Sequence, residues 1–159
     1  MLSPRTTTAS RLQKLEAKFG HGTTTRVFDP RKLRAIAKKY HLDLIVLFGS
    51  HAKGRANGNS DIDLAVRARD YRKTFGRSCR EFALAGELAD AVNGPGEVDL
   101  VMLNRADSLL LRNVANDGIV LYERTPASWV EFVSYANRRY YDDERFRRYE
   151  AELLRTRYP

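Results

Sequence analysis

The sequence predicts an α/β protein of the α+β kind, a small mixed sheet flanked by helices and followed by one long C-terminal helix. Three observations predict it. Short apolar runs at 44–48, 62–66, 98–103 and 119–122 are separated by turn residues or by stretches of helical periodicity. Between the first two runs lie Gly49-Ser50 and a polar or small stretch. From about residue 125 to 155 the aromatic and aliphatic residues recur every three or four positions. At 159 residues with a 43% apolar fraction, the chain is expected to build one domain around a small core.

Taken in order, residues 1–27 read as a basic, poorly ordered arm. The first 40 residues hold ten Lys and Arg against only Glu16 and Asp29, so the whole net charge of +8 sits there. Asp29-Pro30 starts a helix, with Asp29 at the N-cap and Pro30 at the first helical position. Leu33, Ile36, Ala37 and Tyr40 make its apolar stripe, and His41 closes it. Leu44 to Phe48 follows as a strand buried on both faces. A second strand begins at Asp61. Tyr71 to Val92 reads as one long helix with Phe75, Cys79, Phe82, Ala83, Leu84, Leu88 and Val92 on its apolar face, stopped by Asn93-Gly94-Pro95-Gly96. Strand 97–103 comes next, then a helix from Ala106 to Asn116 around Leu109, Leu110 and Val114, and a last strand from Ile119 to Tyr122. Thr125-Pro126 or Ser128 opens the final helix. Its stripe of Trp129, Phe132, Val133, Ala136, Tyr140, Phe146, Tyr149 and Leu153 is long for so small a sheet, leaving part of it for a partner.

The chemistry concentrates in residues 44–66. A glycine after a buried strand lets backbone N–H groups approach an anion, and the Ser50 hydroxyl adds a rotatable donor. In Asp61-Ile62-Asp63-Leu64 the alternation of a strand puts both carboxylates on one face, about 6.6 Å apart, and Ile62 and Leu64 on the other. Two like charges have no folding reason to share a face, since burying unpaired charge is costly. A divalent cation resolves the conflict, and Mg²⁺ takes one or two protein carboxylates together with substrate phosphates.

Gly49-Ser50, ten intervening residues and Asp61-x-Asp63 between apolar strands resemble the signature of the DNA polymerase β-like nucleotidyltransferase superfamily. The chain is most similar to its minimal nucleotidyltransferases (MNT). The resemblance covers residues 30–124, and it implies a third acidic residue on a later strand. Asp99, between Val98 and Leu100, is the choice; Glu97 is a secondary candidate. The organisation expected is the arm at 1–27, a nucleotidyltransferase domain at 28–124, and a helix at 125–159 packed on that domain or on a partner.

The resemblance implies ATP as substrate and two Mg²⁺ ions, with Mn²⁺ as an alternative, held by Asp61, Asp63 and Asp99. It also implies that Gly49 and Ser50 hold phosphates; Lys53 and Arg55 in the loop are candidates to neutralise phosphate charge. His51 is left out of the catalytic set. Stand-alone members of this group are often antitoxins that add AMP to a tyrosine of a small helical HEPN-type toxin, and that is the function expected here. Two alternatives stand beside it: nucleotidyl transfer to a small molecule such as an aminoglycoside, and a non-catalytic nucleotide-binding partner protein.

Composition removes other classes. The single cysteine, Cys79, gives no intrachain disulfide and no zinc site, which fits a cytoplasmic protein. No apolar run reaches the roughly 18 residues of a membrane span. The body lacks aromatics interleaved with basic residues over a strand surface, so specific nucleic-acid binding is not expected. The length leaves no room for the duplex-gripping domains of a template-dependent polymerase.

Overall fold

A computed structural model of the chain describes residues 27–56, 60–76, 79–93 and 97–157. Along these run β1 (Val27–Phe28), α1 (Pro30–Lys39), β2 (Leu42–Leu47), α2 (Gly49–Ala52), β3 (Ile62–Ala68), α3 (Tyr71–Phe75), α4 (Arg80–Asp90), β4 (Val92–Asn93), β5 (Val98–Met102), α5 (Ser108–Asp117), β6 (Ile119–Glu123) and α6 (Ser128–Arg157). Except for Val27, the basic arm expected over 1–27 lies outside the described residues.

The main sheet has the strand order β5-β3-β2-β6. β3 and β5 are parallel, while β2 pairs antiparallel with both β3 and β6, so the sheet is mixed as expected. β1 and β4 form a separate antiparallel pair. Helix α1 starts where the sequence placed it: the Asp29 carboxylate accepts hydrogen bonds from the backbone N–H of Arg31 and Lys32 at 2.8 and 3.3 Å. It ends at Tyr40, and His41 takes a positive φ of 50° as the chain turns into β2.

β2 is one of the two interior strands of the sheet. Leu44, Ile45 and Val46 are each fully buried, and alternate residues feed two cores. Leu42, Ile45 and Leu47 join Leu33, Ile36, Leu84 and Leu88 on the face covered by α1 and α4. Leu44 and Val46 join Leu111, Val114, Phe132 and Ala136 on the face covered by α5 and α6. A sheet covered on both sides needs this uninterrupted apolar run.

The single helix expected over Tyr71–Val92 is instead α3, α4 and β4. Gly76 caps α3, its N–H donating to the Arg72 carbonyl at 2.9 Å, and a Cβ at Gly76 would stand only 2.3 Å from that oxygen. The restart at Arg80 changes the helical phase: Phe75, Leu84 and Leu88 are buried, whereas Cys79, Phe82 and Ala83 face outward. Val92 leaves the helix to pair with Phe28. The expected Gly94-Pro95-Gly96 turn lies outside the described residues. In α5, capped by the Asp107 carboxylate on the Leu110 N–H at 2.8 Å, the buried residues are Leu111 and Val114 rather than Leu109, which is exposed.

Helix α6 runs antiparallel to α5. The Arg112 guanidinium stacks on Tyr140, and seven residues further along α6 Arg147 donates a hydrogen bond to the hydroxyl of Ser108, the first residue of α5. Beyond Arg147 the helix overshoots α5. No described helix is long and apolar enough to cross a membrane.

Candidate active site

Three segments meet at one end of the sheet: the end of β2 leading into α2, and the starts of the parallel strands β3 and β5. The ten-residue stretch expected as a loop after Gly49-Ser50 begins as one helical turn, α2, with the Lys53 N–H donating to the Gly49 carbonyl and the Arg55 N–H to that of Ser50. Residues 57–59 of the stretch lie outside the described residues.

Gly49 is fixed by two constraints. Its φ is +69°, and a Cβ there would lie 2.0 Å from Asp63 Oδ2. Only a residue without a side chain both adopts that conformation at no cost and leaves room for the carboxylate. The next residue uses the approach: the Ser50 backbone N–H donates to the Asp63 carboxylate. The peptide beyond β2 is thus folded onto the acidic strand, where Phe48 N–H also donates to the Asp63 carbonyl at 3.0 Å.

The alternation read from the sequence is present. Ile62 and Leu64 are buried, Asp63 is half-buried, and Asp61 is exposed immediately before β3. Asp63 stands opposite Asp99 in the parallel register of β3 and β5. In a parallel pair, residues in register point to the same face, so the sheet brings the two carboxylates together. Glu97 precedes β5, and its carbonyl accepts the Ile62 N–H at 2.9 Å; its side chain is exposed.

The electrostatics follow. Burial pushes the Asp63 carboxyl above its ordinary value, and the Asp99 and Asp61 charges push it further. His51 and the Ser50 N–H pull the other way. Burial and the neighbouring carboxylates outweigh them, so the net shift is upward. Among the described residues no three His, Cys, Asp or Glu side chains form a ready-made cage for a metal ion. Asp61 and Asp99 are instead exposed around a half-buried Asp63, an open set of hard oxygen donors. Such a set fits Mg²⁺ or Mn²⁺ shared with substrate phosphates, because these cations keep several non-protein oxygens in their shell.

Of the remaining residues singled out in the sequence, Lys53 ion-pairs with Asp117 at the end of α5, Nζ to Oδ2 3.0 Å. Arg55 is exposed in the stretch after α2. His51, which sequence reasoning set aside, lies with Nε2 3.1 Å from the Ser60 carbonyl and so ties α2 to the residue before Asp61. Its signal was adjacency to Gly49-Ser50. Asp117 had none, since its partner is 64 positions away.

Known proteins share this fold. The family model described as polymerase beta nucleotidyltransferase matches residues 31–127. The chain is 36% identical over 95 residues to the protein adenylyltransferase MntA of Aphanizomenon flos-aquae, covering 57% of this chain and 63% of that protein. It is 41% identical over 81 residues to MntA of Shewanella oneidensis, covering 51% and 54%. The matched stretch therefore spans less than two thirds of either relative. Among solved structures, a toxin-antitoxin complex with AMP-PNP aligns at TM-score 0.63 and 30% identity, over 79% of this chain and 98% of the other. A complex of the tri-AMPylated Shewanella oneidensis HEPN toxin with an MNT antitoxin aligns at TM-score 0.57 and 28% identity, over 79% and 94%.

The fold is that of the nucleotidyltransferase class. The chain belongs to the polymerase beta nucleotidyltransferase family.

Proposed function

We propose that this protein is the antitoxin of a toxin-antitoxin pair in the cytoplasm, an adenylyltransferase that moves AMP from ATP to a tyrosine hydroxyl of a HEPN-type toxin. The observation that carries the reading is the Asp63–Asp99 pairing across β3 and β5 beside the Gly49 slot. Like charges brought into register at an open edge, against a backbone shaped to admit them, suit a site whose charge balance is completed by cation and nucleotide. The likeness to adenylyltransferases and to structures of antitoxins with nucleotide or AMPylated toxin supplies the nucleotide and the acceptor.

In this reading Asp61 and Asp63 would hold two divalent cations, Mg²⁺ or Mn²⁺, and Asp99 would help to hold one of them. Divalent cations bound there would supply Lewis acidity for the attacking hydroxyl and the departing pyrophosphate. The chain does the rest. Backbone N–H groups around Gly49, with the Ser50 hydroxyl, donate hydrogen bonds to oxygens of the β- and γ-phosphates. His51 fixes the spacing between that phosphate-holding turn and Asp61 through the Ser60 carbonyl. Lys53 exchanges Asp117 for a phosphate oxygen, and Arg55 adds a second positive charge at the mouth. Asp99 takes the proton of the tyrosine hydroxyl as its oxygen attacks the α-phosphorus and the bond to pyrophosphate breaks.

The test is incubation of the chain with ATP, Mg²⁺ and the HEPN-type protein encoded beside it, followed by intact-mass measurement. An AMP increment on a tyrosine of that protein, absent with Asp61→Ala/Asp63→Ala, is expected. A partner that binds and gains nothing from any nucleoside triphosphate would contradict the assignment.

A further inference from the structure

The last three turns of α6 carry an apolar stripe that no other described part of the chain covers. Phe146, Tyr149 and Leu153 are 72%, 63% and 48% exposed. Their spacing places them on one side of the helix. At 3.6 residues per turn, that side lies about 100° round the axis from the side through which Phe132, Ala136 and Tyr140 pack. The stripe is therefore a second face, distinct from the overshoot of the core-facing one. It begins where α6 leaves α5 behind, at the level of Arg147 and Ser108.

The charges flanking the stripe state what fits it. With Phe146 and Leu153 at heptad positions a and Tyr149 at d, positions g are Arg138 and Arg145, and positions e are Asp143 and Glu150. When two identical helices run parallel, each g residue meets the e residue five positions on in the other copy. That sets Arg138 against Asp143 and Arg145 against Glu150, each twice by symmetry. An antiparallel pair would set Asp143 against Glu150, like against like. Neither Arg145 nor Glu150 has an ion pair among the described residues, whereas nearby Arg148 is paired with Glu144 and Arg139 with Asp143.

We propose that the stripe is the contact of a homodimer, in which the ends of two α6 helices lie parallel about a two-fold axis with Phe146, Tyr149 and Leu153 of each copy between them. The interface is short, at the small end of specific contacts, so the dimer forms with increasing protein concentration. This inference does not depend on the nucleotide chemistry.

Sedimentation velocity of the full chain over a wide concentration range tests it. The expected result is a monomer converting to a dimer, with Phe146→Asp and Leu153→Asp each holding the protein monomeric at unchanged thermal unfolding temperature. Arg145→Glu alone and Glu150→Arg alone should weaken association several-fold, and the two together should restore it. In a Cys79→Ser background, Leu153→Cys should form an interchain disulfide on mild oxidation, since parallel a positions face their own counterparts. A chain monomeric throughout overturns the proposal, including one whose stripe is covered only when a different protein is added. So does a dimer indifferent to Phe146→Asp, or a double charge variant that fails to recover.

Discussion

Asp63 and Asp99 occupy the same level of two parallel strands, and the residue facing Asp63 from the side is a glycine with φ of +69°. The fold holds a carboxylate where its charge is opposed by burial and by a second carboxylate, and it removes the side chain that would have crowded it.

That arrangement makes a prediction about stability. The folded-state pKa of Asp63 is raised, by burial first and by Asp99 second. A carboxyl raised in the folded state contributes stability when protonated and loses it as pH rises through the folded value. Asp63→Asn should therefore melt at the same temperature as the parent below the ordinary carboxylate value of 3.8 and at a higher temperature near pH 7, in metal-free buffer. Adding Mn²⁺ and a non-hydrolysable ATP analogue should reverse the order, stabilising the parent and leaving the variant unmoved.

Gly49→Ala should fail on both counts that fix the glycine. The left-handed conformation alone costs a residue with a Cβ about 1–2 kcal/mol, and the new methyl meets Asp63 Oδ2. Chemical denaturation should show a loss of at least about 1 kcal/mol, and nucleotide transfer should fall with it. Gly86→Ala, where a Cβ meets nothing within 4 Å, is the control and should leave both intact.

Lys53 and Asp117 should separate in kinetics rather than in stability. Their ion pair is about 40% exposed on both sides, so breaking it moves the unfolding free energy by less than about 1 kcal/mol. Lys53→Ala should raise the KM for ATP. Asp117→Asn, which releases the lysine, should leave KM unchanged or lower it. A Lys53→Ala variant with parental KM would remove that residue from the phosphate site.

Much of this was legible in local pattern. The strand run of Leu44–Leu47, the Asp29-Pro30 start and the alternation of Asp61 to Leu64 are each decided within a few residues, by burial on two faces, by a cap and by the pleat. Asp99 was legible because its apolar neighbours require a strand. The break at Gly76 was hidden because the apolar residues on either side of it fit one continuous helix, although α3 and α4 present different faces. The exposure of Phe82 follows from that break. Contacts between distant residues, Lys53 with Asp117 and Asp63 with Asp99, depend on how the helices and strands assemble; periodicity carries no signal for the first, and family resemblance alone pointed to the second.

The central claim is that one reaction uses Asp61, Asp63 and Asp99 together, and single-turnover AMP transfer to the HEPN-type partner by Asp99→Asn tests it most directly. If Asp99 receives the proton, the rate should fall by about 10²-fold or more, the range general-base removal produces, while binding of a non-hydrolysable ATP analogue stays within about threefold of the parent. Transfer by Asp99→Asn at the parental rate would contradict the account.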